Sequence, residues 1–143
     1  MTERPRWSRD ELGVLLAGVV FFGLAFAPWY EASSAAGTRY GVRAWDLGAI
    51  GVIAVLASAY ASLRVLWVKA KPLGPDVPVS PAAEPFVASL AALLLTLYRA
   101  VDVPGLPQAA RTAWLSSAAF VVLFQAIFAT RHVRTAGFRA PPP

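Results

Sequence analysis

The chain contains no cysteine and only one histidine among its 143 residues. Without cysteine it cannot form a disulfide, a thiolate metal site or a thiol redox centre. His132 alone cannot provide the paired histidine ligands that haem requires in four-helix membrane cytochromes. We therefore expect neither a cofactor nor a metal, and we interpret His132, which lies in a basic segment, as a solvated residue.

Charged residues are also scarce, at 15% of the chain, whereas 57% of the residues are hydrophobic. This balance is typical of a membrane protein rather than a soluble domain. The net charge of +5 does not indicate nucleic-acid binding, because the basic residues are scattered beside the apolar stretches. Asparagine is absent and arginine outnumbers lysine 11 to 2, which favours a GC-rich bacterial source.

Four apolar stretches predict an all-α integral membrane protein, an antiparallel four-helix transmembrane bundle forming one domain over residues 1–143. The predicted spans are residues 12–29, 47–68, 86–103 and 113–130. A cleaved signal peptide is the alternative for the first stretch, because small residues follow it. Arg99 and Asp102 interrupt the third, which leaves an amphipathic or re-entrant segment as its alternative.

Basic residues and aromatic residues predict the orientation of these spans. Nine Lys and Arg residues fall on one side of the predicted membrane and four on the other. Because cytoplasmic loops carry the excess of basic residues, both termini are predicted to be cytoplasmic in a multi-pass protein of the plasma membrane. Five residues then form a predicted outer aromatic belt: Trp29, Tyr30, Trp45, Tyr98 and Trp114.

Two segments are predicted to lie outside the membrane on the cytoplasmic side. In the loop at residues 69–85 a proline recurs every third residue, which favours an extended polyproline spacer, with a docking peptide as the alternative. The tail at residues 131–143 is basic and ends in three prolines. It is predicted to be disordered and to lie near anionic lipid headgroups.

Small and weakly polar residues mark the faces on which membrane helices pack. The second stretch carries such residues at helical spacing, and so does the third: Gly51, Ala54, Ser58, Ala61 and Ser62, then Ala88, Ala92 and Thr96. Gln125 is the most deeply placed polar side chain, so it should face the interior of the bundle. We expect a hydrogen bond from Gln125 to Ser58 or Thr96, or alternatively the lining of a substrate or ion path.

Four charged residues near the outer ends of the spans form a candidate cluster: Asp46, Arg99, Asp102 and Arg43. We expect Arg99 to pair with Asp46, with Asp102 as a competing partner one helical turn away. Such a cluster joins helix ends, or it lines a vestibule for an anionic group or a lipid headgroup. No nucleophile with a base, metal cluster or phosphate-binding loop accompanies it in the sequence, so catalytic residues are not predicted and the protein is not expected to be an enzyme.

Short motifs extend over most of the chain, namely Pro28-Trp29-Tyr30, Ala44-Trp45-Asp46, and Leu97-Tyr98-Arg99 with Asp102 and Pro104-Gly105. With these motifs the sequence resembles a loose group of uncharacterised four-span bacterial membrane proteins. The resemblance implies a four-helix membrane fold and no known activity. Small multidrug transporters are similar in span number, but they have a glutamate within the first span, whereas Glu11 precedes it here.

These observations favour a non-enzymatic accessory or scaffold subunit of a membrane assembly. Its partners would be the lipid bilayer and either another membrane protein or further copies of itself, without nucleic acid. The alternative is a small oligomeric transporter or channel whose path uses Gln125, Ser58, Thr96 and Arg99. A continuous polar track through the interior would favour the transporter, and a dry, tightly packed interior would favour the accessory subunit.

Overall fold

The computed structural model describes residues 7–70, 80–102, 105 and 109–137. Within these ranges the protein is mostly helical, with four α-helices and one small sheet. The elements in chain order are α1 (Arg9–Leu24), β1 (Pro28–Ser33), β2 (Arg39–Arg43), a 3-10 helix (Ala44–Asp46), α2 (Gly48–Ala70), α3 (Ala83–Val101), β3 (Ala110–Arg111) and α4 (Ala113–Ala136).

Three of the helices are long and apolar enough to cross a membrane, namely α2, α3 and α4 with 23, 19 and 24 residues. Three of the four predicted apolar stretches therefore form helices with the length and composition of membrane spans. Helix α1 has 16 residues and rises about 24 Å, less than the hydrocarbon thickness of a bilayer. It packs against α2 and α4, and α3 packs against the same two helices.

Helix α1 ends at Leu24, so the last residues of the predicted first span, up to Trp29, are not helical. Pro28 cannot donate to a helical hydrogen bond and disfavours helical conformation in the residue before it. Trp29 therefore lies in β1, where its indole N–H donates to the Leu24 carbonyl at 2.9 Å. Trp29 and Tyr30 are fully buried within the chain rather than in an aromatic belt, while Tyr98 and Trp114 are about half exposed.

A three-stranded antiparallel sheet lies beside the helices, in the order β2-β1-β3, and corrects the all-α prediction. Strands β1 and β2 form a hairpin whose turn is closed by the Ser34 N–H and the Thr38 carbonyl at 2.8 Å. Gly37 lies in this turn with φ of 79°, a conformation that glycine adopts without strain. Strand β3 pairs with β1 from far along the chain, through Tyr30 opposite Arg111.

The predicted loop and tail are both shorter than the sequence suggested. Helix α2 runs to Ala70 and α3 starts at Ala83, so both ends of the predicted loop at 69–85 are helical. Helix α4 runs to Ala136, which corrects the prediction of disorder for the tail from residue 131. Packing explains this extension, because Val133 is buried against Ala82 and Ala83. Residues 71–79 and 138–143, with the rest of these two predictions, lie outside the described residues.

The predicted small-residue face of α2 is buried at all five of its positions. On α3, Ala92 and Thr96 are fully buried and Ala88 is half-buried. These faces contact other helices of the same chain, because α2 packs on α1 and α3, and α3 packs on α2 and α4. They fill the interior of the protein instead of presenting a surface to a partner.

The helices share two ends, which we call the sheet end and the opposite end. At the sheet end, α1 leads into β1, α2 follows β2 and the 3-10 helix, and α4 follows β3. The Tyr30 hydroxyl donates to the Arg99 carbonyl, which places the end of α3 there as well. At the opposite end, the start of α1 contacts the ends of α2 and α4 through ion pairs.

Candidate functional site

Arg99 is the central residue of the predicted charge cluster, at the sheet end of α3. Its side chain is 13% exposed, and one terminal N–H group donates to the Leu47 carbonyl at 2.7 Å. The other terminal nitrogen lies 3.6 Å from a carboxylate oxygen of Asp102, one turn further along the chain. Arg99 therefore joins the end of α3 to the residue that precedes α2.

The expected pair between Arg99 and Asp46 does not form, and Asp102 is the ionic partner instead. The Asp46 carboxylate accepts a hydrogen bond from the backbone N–H of Arg43 at 3.0 Å and caps the 3-10 helix. This bond spans three residues, so it costs little chain entropy compared with a bond to another helix. The predicted four-residue cluster is thus two local pairs, connected where Arg99 reaches Leu47.

Tyr30, in strand β1 of the sheet, contacts the same end of α3. It is fully buried, and its hydroxyl donates to the Arg99 carbonyl near the last turn of α3. Burial raises the pKa of the Tyr30 hydroxyl despite the opposing charges of Arg111 and Arg99. The hydroxyl therefore remains a proton donor at neutral pH. This contact could not be predicted from the sequence, where Tyr30 has the position of an interfacial aromatic residue.

The contacts of Arg99 are those of a residue that holds helix ends together. Asp102 neutralises the guanidinium charge, and the Leu47 carbonyl takes one further N–H group. The Nε atom of Arg99 is buried and has no hydrogen-bond partner among the described residues. An orphaned N–H group lowers the stability of this contact.

Gln125 forms the second predicted polar site, in the middle of α4, and it is fully buried. Its amide oxygen accepts from the Ser58 hydroxyl at 2.7 Å, which confirms the expected bond between these two residues. Its amide nitrogen lies 3.2 Å from the Val14 carbonyl, 3.1 Å from the Ser58 carbonyl and 3.2 Å from the Ser62 hydroxyl. One side chain thus connects α4 to both α1 and α2.

Thr96, the alternative partner of Gln125, is turned away from this network. Its hydroxyl donates to the Ala92 carbonyl of its own helix at 2.8 Å, although the residue is fully buried. A threonine hydroxyl in a helix reaches the carbonyl four residues earlier without any tertiary contact. The Gln125 and Thr96 groups therefore do not belong to one polar track.

The ion pairs at the opposite end of the helices were not predicted from the sequence. Lys69 at the end of α2 lies 2.9 Å from Glu11, and Arg131 of α4 lies 3.3 Å from Asp10. The Glu11 carboxylate also accepts from the Ser8 N–H at 2.8 Å in a capping box that begins α1. The available signal was complementary charge, because the acids in the first turn of α1 were assigned to the same side as these bases.

A third ion pair at this end joins α2 to α3. The Arg64 Nε atom lies 2.5 Å from the Glu84 carboxylate, which also accepts from the Tyr60 hydroxyl at 2.8 Å. Among the described residues no group of three or more His, Asp or Glu side chains lies close enough together to hold a metal ion. No family model, curated protein or solved structure matches the chain.

Proposed function

We propose that this protein is a multi-pass integral membrane protein of a bacterial plasma membrane that acts as a non-enzymatic accessory or scaffold subunit. The main support is the bonding of Gln125, whose amide nitrogen and oxygen are both used within the chain. A transport path needs polar groups that are free to exchange partners with a passing solute. The deepest polar group of this interior instead holds three helices together.

The small-residue faces are buried between helices of the chain. We therefore propose that a partner contacts the sheet instead. Strand β2 lies at the edge of the sheet, where backbone groups on one side have no neighbouring strand among the described elements. Arg39, Tyr40 and Arg43 on this strand are exposed. An exposed edge with aromatic and arginine side chains is a favourable surface for another protein.

Purification of the tagged protein from native membranes in mild detergent, followed by mass spectrometry, tests this proposal. We expect a stoichiometric membrane protein that is lost in Tyr40→Ala, because a truncated aromatic side chain no longer contributes its contact area. The matched control is Arg134→Ala, which alters an exposed residue of α4 at the opposite end. A protein that purifies alone, or only as a homo-oligomer, and that conducts a solute in liposomes would overturn the accessory role in favour of a small oligomeric transporter.

A further inference from the structure

A groove runs along the surface between α3 and α4, at the half of these helices nearest the sheet. Its volume is about 300 Å³, and its lining is almost entirely apolar. Leu93, Leu97 and Ala100 line it from one face of α3, and Ala119 and Leu123 line it from α4. Arg111 of β3 stands at the end of the groove.

The lining of the groove indicates what kind of ligand would occupy it. It is apolar along its length and includes the small side chains of Ala100 and Ala119. The lining residues extend over about two helical turns on each side, so the shape fits a single extended hydrocarbon chain.

Arg111 supplies an uncompensated positive charge at the mouth of this groove. Its side chain is exposed, and its guanidinium donates to the Val101 carbonyl at 2.9 Å. Among the described residues no carboxylate lies within ion-pair distance of it, since Asp102 pairs with Arg99. The remaining N–H groups of a guanidinium match the geometry of a phosphate.

We propose that this groove binds one anionic phospholipid, with an acyl chain between α3 and α4 and the headgroup phosphate on Arg111. The charge and the apolar lining are arranged as they are in such a lipid, and Arg111 lies beyond the ends of two membrane-length helices, at the level of headgroups. The inference requires that the helices lie in a bilayer. It does not depend on the accessory role.

Native mass spectrometry of the purified protein with added phosphatidylglycerol or phosphatidylcholine tests the site. We expect one tightly bound phosphatidylglycerol, preferred about tenfold over phosphatidylcholine, because both lipids carry the phosphate but the choline ammonium offsets its charge in phosphatidylcholine. Arg111→Gln should abolish the preference. Arg39→Gln should keep it, since it removes an exposed cation from the other edge of the same sheet.

A second variant tests the acyl-chain part of the groove. Ala119→Leu adds bulk to its wall and should weaken both lipids about equally, while a thermal unfolding scan in detergent verifies that the fold is retained. Equal binding of the two lipids by the unaltered protein would overturn the proposal, and so would a preference that survives Arg111→Gln. If the unaltered protein co-purifies with no partner but keeps the lipid preference, the result counts only against the accessory role.

Discussion

Gly18 lies where α1 approaches the Gln125 network most closely. A Cβ atom at this position would come within 2.6 Å of the Gln125 amide nitrogen and closer still to the Ser62 hydroxyl. Gly18→Ala should therefore lower the free energy of unfolding by about 1–3 kcal/mol, the usual cost of overpacking. The measurement is reversible unfolding of the variant in mixed micelles.

Gly23 provides the matched control, because it lies on the same helix and a Cβ atom there would meet nothing within 4 Å beyond its own stretch of helix. Gly23→Ala should leave stability unchanged or raise it slightly, since alanine is the better helix former. Equal losses for the two variants would mean that Gly18 is not a packing contact.

Gln125 can also be tested by removing its amide while keeping most of its volume. Gln125→Leu should lower the free energy of unfolding by about 1–2 kcal/mol, because interhelical hydrogen bonds in membrane proteins average about 0.6 kcal/mol each. Ser117→Ala is the control, since that exposed hydroxyl donates only to the Ala113 carbonyl of its own helix. A Gln125→Leu variant as stable as the unaltered protein would contradict the assigned role of the network.

The position of Gln125 in the sequence predicts its burial, but it predicts only some of its hydrogen-bond partners. The cost of a carboxamide in lipid predicts an inward side chain, and the small-residue face of α2 predicts that Ser58 faces it. Thr96 lies on an equally suitable face, yet it bonds within its own helix. Asp46 behaves in the same way. In both cases a short-range backbone partner competes with the longer-range partner that sequence spacing suggests.

Thr112 connects two elements, β1 and α4. Its hydroxyl donates to the Pro28 carbonyl at 2.5 Å and caps α4 by accepting from the Trp114 N–H at 3.2 Å, while its own N–H donates to the Trp29 carbonyl at 3.0 Å. Thr112→Val keeps the shape but removes the hydroxyl. We expect a loss of about 1 kcal/mol from the cap alone.

Amide hydrogen exchange measures how Thr112→Val affects strand β1 and helix α4. Amides of β1 and of the first turn of α4 should exchange faster in Thr112→Val, because the contact between them has opened. Thr38→Val is the control, since Thr38 lies exposed in the hairpin turn. Unchanged exchange in β1 would show that Thr112 does not hold the sheet against the helices.

The three helices of membrane length could be predicted from apolar composition, whereas the sheet could not be predicted as a whole. The polar Glu31 between the apolar Tyr30 and Ala32, and the turn glycine Gly37, are hairpin signals that were present in the sequence. Strand β3 has two residues, too few for any periodicity, and its pairing with β1 crosses two helices of the chain. Such non-local pairing is determined by how the helices pack, so it becomes visible only in three dimensions.

In the whole molecule, helix α1 is shorter than a bilayer is thick, so whether it can cross a membrane depends on where its two ends lie relative to the other helices. Its first turn meets the far ends of α2 and α4 through Glu11 and Asp10, and the chain that follows it reaches the sheet at Trp29. Residues 11–29 therefore cover the same distance as the longer helices. If α2 and α4 cross the membrane, α1 and its following turn must cross it too.

Cysteine labelling in intact cells tests this crossing and the predicted cytoplasmic location of both termini, and the cysteine-free chain gives no background. A membrane-impermeant maleimide should label Ala36→Cys, in the hairpin turn, in intact cells. It should label Arg9→Cys and Ala136→Cys only after permeabilisation. Labelling of Arg9→Cys together with Ala36→Cys would show that α1 does not cross, and a reversed pattern for all three positions would show that the basic residues mispredict the orientation.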